Sequence, residues 1–134
     1  MAKITKVEGI GPVYAQKLQD VGIKTDQELL AAGTTPKGRQ DIAQKTGISK
    51  STILAWVNRV DLFRIKGVGE EYADLLEVAG VNTVLELAQR NPTNLYEKLV
   101  AVNQEKKLVR QIPSSAQVEA WIAQAKQLPR VIEY

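Results

Sequence analysis

The sequence predicts an all-α fold, an internally duplicated helical domain with a glycine turn in each half. Three observations lead there. No segment alternates with period two for long enough to argue a sheet, apolar residues recur at helical spacing, and one long pattern occurs twice. Val7 to Gly33 reads VEGIGPVYAQKLQDVGIKTDQELLAAG, and Ile65 to Asn91 reads IKGVGEEYADLLEVAGVNTVLELAQRN, aligned without gaps at an offset of 58. The identities fall where backbone or packing is demanding: Gly9/Gly67, Gly11/Gly69, Tyr14/Tyr72, Ala15/Ala73, Leu18/Leu76, Gly22/Gly80, Thr25/Thr83, Glu28/Glu86 and Leu29/Leu87.

Gly9 and Gly11 flank one apolar residue, as Gly67 and Gly69 do, a turn suited to positive φ or to close approach by a neighbour. A helix follows, with Pro12 at its first position and Tyr14, Leu18 and Val21 as a buried stripe at i, i+4 and i+7. Gly22 ends it as a C-terminal cap. Thr25-x-x-Glu28 opens the next helix as a capping box, and Thr83-x-x-Glu86 repeats the device. Thr35-Pro36 and Asn91-Pro92 each read as an N-cap followed by proline in the first helical position. The halves end alike, since Ile53, Trp56, Val57 and Val60 match Val118, Trp121, Ile122 and Ala125, now offset by 65. Ser114-x-x-Gln117 caps the last helix and Pro129 closes it. The expectation is about eight to ten short helices in two halves, residues 1–62 and 63–134, sharing one core.

Composition narrows the chemistry. The chain has 134 residues, 44% of them hydrophobic and 25% charged, and no apolar run approaches the length of a spanning helix. The start, MAKITKVEGIG, has no apolar stretch behind its lysines, so it reads as no secretory signal and a cytoplasmic location is expected. Cysteine and histidine are both absent. That removes disulfides, the usual zinc ligands, the nucleophile–histidine arrangements and the commonest general base. No cofactor, metal or small-molecule substrate is expected. Net charge is +3, and the excess is uneven: nine Lys/Arg against six Asp/Glu up to Leu62, then nine against nine from Phe63 onward.

The segments GIGPVYAQKL and GVGEEYADLL resemble the helix-hairpin-helix superfamily, in which a short helix, a Gly-hydrophobic-Gly hairpin and a second helix form one unit. The longer pattern, with its aliphatic-x-Thr and Glu-Leu pair after the second helix, looks like a tandem-hairpin bacterial protein of a domain-of-unknown-function family, over nearly the whole chain. The resemblance implies two helix-hairpin-helix motifs whose backbone N–H groups hold phosphates of duplex DNA, largely without reading sequence. A helix N-terminus with unpaired amides is a suitable anion site. Gly9, Ile10 and Gly11 would form one grip and Gly67, Val68 and Gly69 the other, with Lys6, Lys17, Arg64 and Lys66 as supporting charges. The chain departs from the DNA-binding members at the second position after each hairpin, where they carry Lys or Arg and it has Val13 and Glu71. Glu70 and Glu71 also repel a phosphate from the first turn of their helix. It lacks the post-hairpin lysine and the cysteines of the glycosylases and lyases of that superfamily, so no enzyme is expected.

Two further patterns stay open. Asp41 to Val60, DIAQKTGISKSTILAWVNRV, looks like a helix-turn-helix, with Ala43, Gly47 and Ile53 at that family's spacing and Ser49 to Thr52 opening a recognition helix. The alternative is a structural helix pair with Trp56 in the core, favoured by Trp121 at the matching position. Lys106, Lys107 and Arg110, at i, i+1 and i+4, read as one solvated helix face. The expected function is a non-catalytic DNA-binding module making backbone contacts, and the alternative is a protein-interaction or scaffold module with purely structural hairpins; no membrane partner is expected.

Overall fold

A computed structural model describes residues 3–134. The regular elements among its described residues are all helices, and the chain divides into two compact units, one running up to Asp61 and including the terminal Val131–Tyr134, the other Leu62–Arg130.

In the first unit a 3₁₀ turn, Ile4–Lys6, leads to α1, Pro12–Asp20, α2, Asp26–Ala32, α3, Pro36–Thr46, and α4, Lys50–Leu62, whose last residue counts with the second unit. Each boundary has a local cause. Pro12 and Pro36 sit at the first helical positions, where their missing N–H costs nothing. Beyond α1, Gly22 takes φ +88° and donates to Gln19, while Ile23 donates to Leu18, so the last carbonyls are satisfied in a Schellman motif. Thr25 and Glu28 form the full reciprocal box that starts α2. Thr35 caps α3 by accepting from the Gly38 amide, and Gly47, at φ +77°, ends it. Ser49 accepts from the Thr52 amide at the start of α4.

Leu18, Leu29, Ile53 and Val57 are fully buried and, with Ile4, Trp56 and Val60, form the apolar interior of this unit. The stripe expected along α1 is corrected here: Ala15 and Leu18 face inward, whereas Tyr14 is 40% exposed and Val21 only half-buried. The inward pair is i, i+3, and the Tyr14 ring meets Trp56 at a steep angle. The terminal residues close the unit. Ile132 is buried, the Glu133 amide donates to Thr34 at 2.7 Å, and the buried Arg39 guanidinium donates to the carbonyls of Gly33 and Glu133, both at 2.8 Å.

The second unit holds α5, Glu70–Val78, α6, Val84–Ala88, α7, Pro92–Lys106, and α8, Ser115–Gln127. α8 packs on α6 and α7, and α7 on α5. Leu62, Ile65, Leu75, Leu76, Leu87, Leu95, Leu99, Val118 and Trp121 make its core. The same devices recur. Gly80, φ +97°, and Val81 donate to Glu77 and Leu76 as Gly22 and Ile23 do. Thr83, Asn91 and Ser114 cap α6, α7 and α8, the last with its reciprocal Gln117. Between α7 and α8 lies a connection with no counterpart in the first unit. Lys107 enters it at φ +52°, Val109 anchors it in the core, and the Asn103 side chain bonds both the amide and the carbonyl of Val109. Lys106, Lys107 and Arg110 therefore do not share a helix face. α7 stops at Lys106, and Arg110 belongs to the connection.

Candidate functional site

The two glycine turns have one geometry, built from the same residue types. Gly9 and Gly67 take φ +93° and +96°, in the left-handed region where a side chain is strained. Each also lies against a tryptophan, since an added Cβ would come within 3.0 Å of the Trp56 indole nitrogen at Gly9 and 3.1 Å of that of Trp121 at Gly67. The indoles are held in turn by Tyr14 and Tyr72, with ring centroids 5.2 and 5.3 Å apart. Trp56 and Trp121 are thus the floor on which the turns sit. They are buried, and stacking on a base is not open to them.

Ile10 and Val68 point into the core, and their amides donate to Val7 and Ile65, each at 3.0 Å. These amides are spent inside the turn, and their residues anchor it. The open positions come next. Gly11 and Gly69 are exposed N-caps with extended backbone, no side chain and nothing within 4 Å of where one would stand. The other α-helix starts among the described residues carry a Thr, Asn or Ser whose oxygen takes an amide of the first turn. At α1 and α5 no side chain does so, and helix geometry gives the amides of Val13 and Tyr14, and of Glu71 and Tyr72, no intrahelical acceptor.

The charges expected to support these turns are placed unevenly. Lys6 is exposed at the end of the 3₁₀ turn. Lys17 lies in the last turn of α1, with its ammonium 6.0 Å from the Tyr14 ring centroid, about 9 Å along the helix from Gly11. Arg64 donates to the Pro129 carbonyl at 3.0 Å. Lys66 is exposed, and its backbone is clasped by Gln124, which accepts from the Lys66 amide at 2.9 Å and donates to its carbonyl. In the first unit the residues corresponding to Lys66 and Gln124 are Glu8 and Arg59. Burial pushes the Arg59 guanidinium down from its usual value while Glu8 opposes that shift. Glu8 is therefore set against Arg59, a neighbour that sequence proximity did not offer.

At the second turn the structure adds a cation that sequence reasoning missed. Gly67, Gly69, Glu70, Glu71, Tyr72, Arg110 and Gln111 line a hollow of about 560 Å³. The Tyr72 hydroxyl donates to the Gln111 carbonyl at 3.0 Å, tying the connection to α5 and holding Arg110 at the mouth of the turn. Arg110 lines the hollow beside a glycine turn followed by Glu70 and Glu71. The length of the second connection was its only signal. Chemically, each turn offers amide donors to an oxyanion, and the second couples them to one guanidinium and two carboxylates. No group of three or more metal-ligating side chains occurs among the described residues, and no helix there is long and apolar enough to cross a membrane.

A family model described as a domain of unknown function (DUF4332) matches residues 8–128, and the chain belongs to that family. No curated protein and no solved structure matches it.

Proposed function

We propose that this member of the DUF4332 family is a non-catalytic nucleic-acid-binding module whose duplicated hairpins, of the helix-hairpin-helix kind, hold phosphates of duplex DNA. One observation carries the reading: α1 and α5 alone among the described α-helices begin without a side-chain cap, each behind a positive-φ glycine turn. A side-chain cap and a bound oxyanion compete for the same amides, so an uncapped, exposed start suits a ligand. In the reading, Gly11 and Gly69 let the strand approach the backbone, while Ile10 and Val68 pin the turns and Gly9 and Gly67 seat them on tryptophan. Arg110 offsets Glu70 and Glu71 at the second turn, and Lys6, Lys17, Arg64 and Lys66 add charge alongside.

Neutralising about two to four phosphates gives a slope of log K against log salt of roughly −2 to −4, with little sequence preference. The test is Gly69→Asp, alone and with Gly11→Asp. There is room for the new side chain, and it supplies both the missing cap and a charge that excludes phosphate. Melting temperature should hold or rise while affinity for a labelled duplex, measured by anisotropy at about 50 mM salt, drops at least several-fold. Affinity unchanged by both substitutions would remove the hairpins from the interface.

A second reading, a protein-interaction module with structural hairpins, draws on Glu70 and Glu71 in the hollow and on Val13, 69% exposed beside the first turn. It predicts that the wild-type chain binds neither duplex nor single strands even at low salt.

A further inference from the structure

A second basic surface lies in the first unit, away from the residues of its glycine turn. The first turn of α3 and the first residues of α4 face each other across a groove of about 350 Å³. Lys37 and Gln40 stand on one wall, Lys50, Ser51 and Leu54 on the other, and Arg39 beneath. Its lining contains no carboxylate. Lys37 and Lys50 are exposed, and their ammonium groups make no ion pair or hydrogen bond among the described residues. Arg39 is different, being buried and bonded to the carbonyls of Gly33 and Glu133, which neutralise none of its charge. Two unpaired ammonium groups lining one groove with a guanidinium create a local positive field that an anion or solvent balances.

Thr35 and Ser49 occupy the amides at the starts of α3 and α4, so the side chains, and not the helix ends, supply the donors. Gly47 at φ +77° ends α3 and leads the chain into the start of α4. Gln40 offers both donor and acceptor, and Ser51 a hydroxyl. The charge excess of the whole chain also lies in this half.

We infer that this groove binds a phosphodiester of a nucleic-acid backbone through Lys37 and Lys50, with Gln40 and Ser51 bonding to the same nucleotide. The inference rests on the nucleic-acid reading above for the identity of the polymer, but it uses none of the hairpin residues. It gives the first unit a contact separate from its glycine turn.

The test is a salt-dependent anisotropy titration of the full chain with a labelled duplex. It compares wild type, Lys37→Glu/Lys50→Glu, Lys37→Arg/Lys50→Arg, Arg110→Glu and a charge-matched control, Lys45→Glu/Lys126→Glu, with circular dichroism to verify folding. The groove predicts that the glutamate pair weakens binding about tenfold or more beyond the control and flattens the salt slope by about 2, and that the arginine pair restores both. Binding equal to the control overturns the groove, and a loss confined to Arg110→Glu leaves the hairpins standing alone. A loss in the groove pair with none in Arg110→Glu upholds the groove and overturns the second hairpin. No binding by wild type overturns both.

Discussion

Two glycines separated by one residue have opposite roles, and substitutions can separate them. Gly67 combines positive φ with a tryptophan 3.1 Å from any added Cβ, whereas Gly69 has extended backbone and open space. Gly67→Ala should cost about 1–3 kcal/mol, from left-handed strain and displacement of Trp121. Gly69→Ser should be neutral or stabilising by a few tenths, because serine supplies the cap that glycine cannot. Urea denaturation of both variants checks the pair, and equal losses would mean the turn is not seated as described. The lowered Arg59 value means the unfolded chain holds that proton more tightly, so burying the charged guanidinium costs stability wherever it stays protonated, and that cost is relieved only as pH rises through its folded-state value. With no histidine, stability should be flat between about pH 6 and 8, as denaturant midpoints across that range would show. The positive φ of Gly9 and Gly67 was legible in the sequence because local sterics set it, whereas the extended backbone and open surroundings of Gly11 and Gly69 were not expected. The Glu8–Arg59 relation was not, since it depends on which face of α4 meets the turn.

Helix boundaries were the most legible feature, because caps act over three or four residues. Thr25, Thr35, Asn91 and Ser114 cap as their spacing predicts, and Pro12, Pro36 and Pro92 stand in first turns. The Thr83 device is looser: the Glu86 carboxylate accepts from the Asn82 amide and the Thr83 hydroxyl. Ser114→Ala should cost about 1 kcal/mol, a cap's usual worth, read as a lower denaturant midpoint with unchanged slope. The connection from α7 to α8 was illegible. Its apparent i, i+4 spacing of Lys106 and Arg110 suggested a continuing helix, but Lys107 at φ +52° ends it. Asn103 holds the result through two bonds to Val109. Asn103→Ala should therefore loosen Arg110, with backbone NMR order parameters falling over residues 108–112 while those of α8 persist. Preserved order in that stretch would assign the rigidity to Val109 burial and the Tyr72 bond alone.

At the scale of the molecule, the chain's last residues return to its first unit, a contact no local pattern announces. Sequence reading assigned residues 63–134 to one half because proximity along the chain is its only guide to such a segment. The structure gives Val131–Tyr134 to the other unit through specific bonds: Glu133 to Thr34 and Arg39, and the Tyr134 hydroxyl to Asn58 at 2.9 Å. Truncation after Arg130 would expose the pocket of buried Ile132, worth about 1.5–3 kcal/mol of apolar burial. It would also strip one of the two carbonyls that solvate the buried Arg39 guanidinium, and a buried charge left short of partners is costly. Together these effects should lower the first unit's stability by about 3–5 kcal/mol, a large fraction of what a small domain has. Hydrogen exchange resolves where the loss falls. Protection should drop in α2 and α3, which flank Thr34 and the second of which carries Arg39, while α8 keeps its own. Unchanged protection in α3 would mean that Arg39 holds its place through Gly33 alone, and that the tail rests on the unit without supporting it.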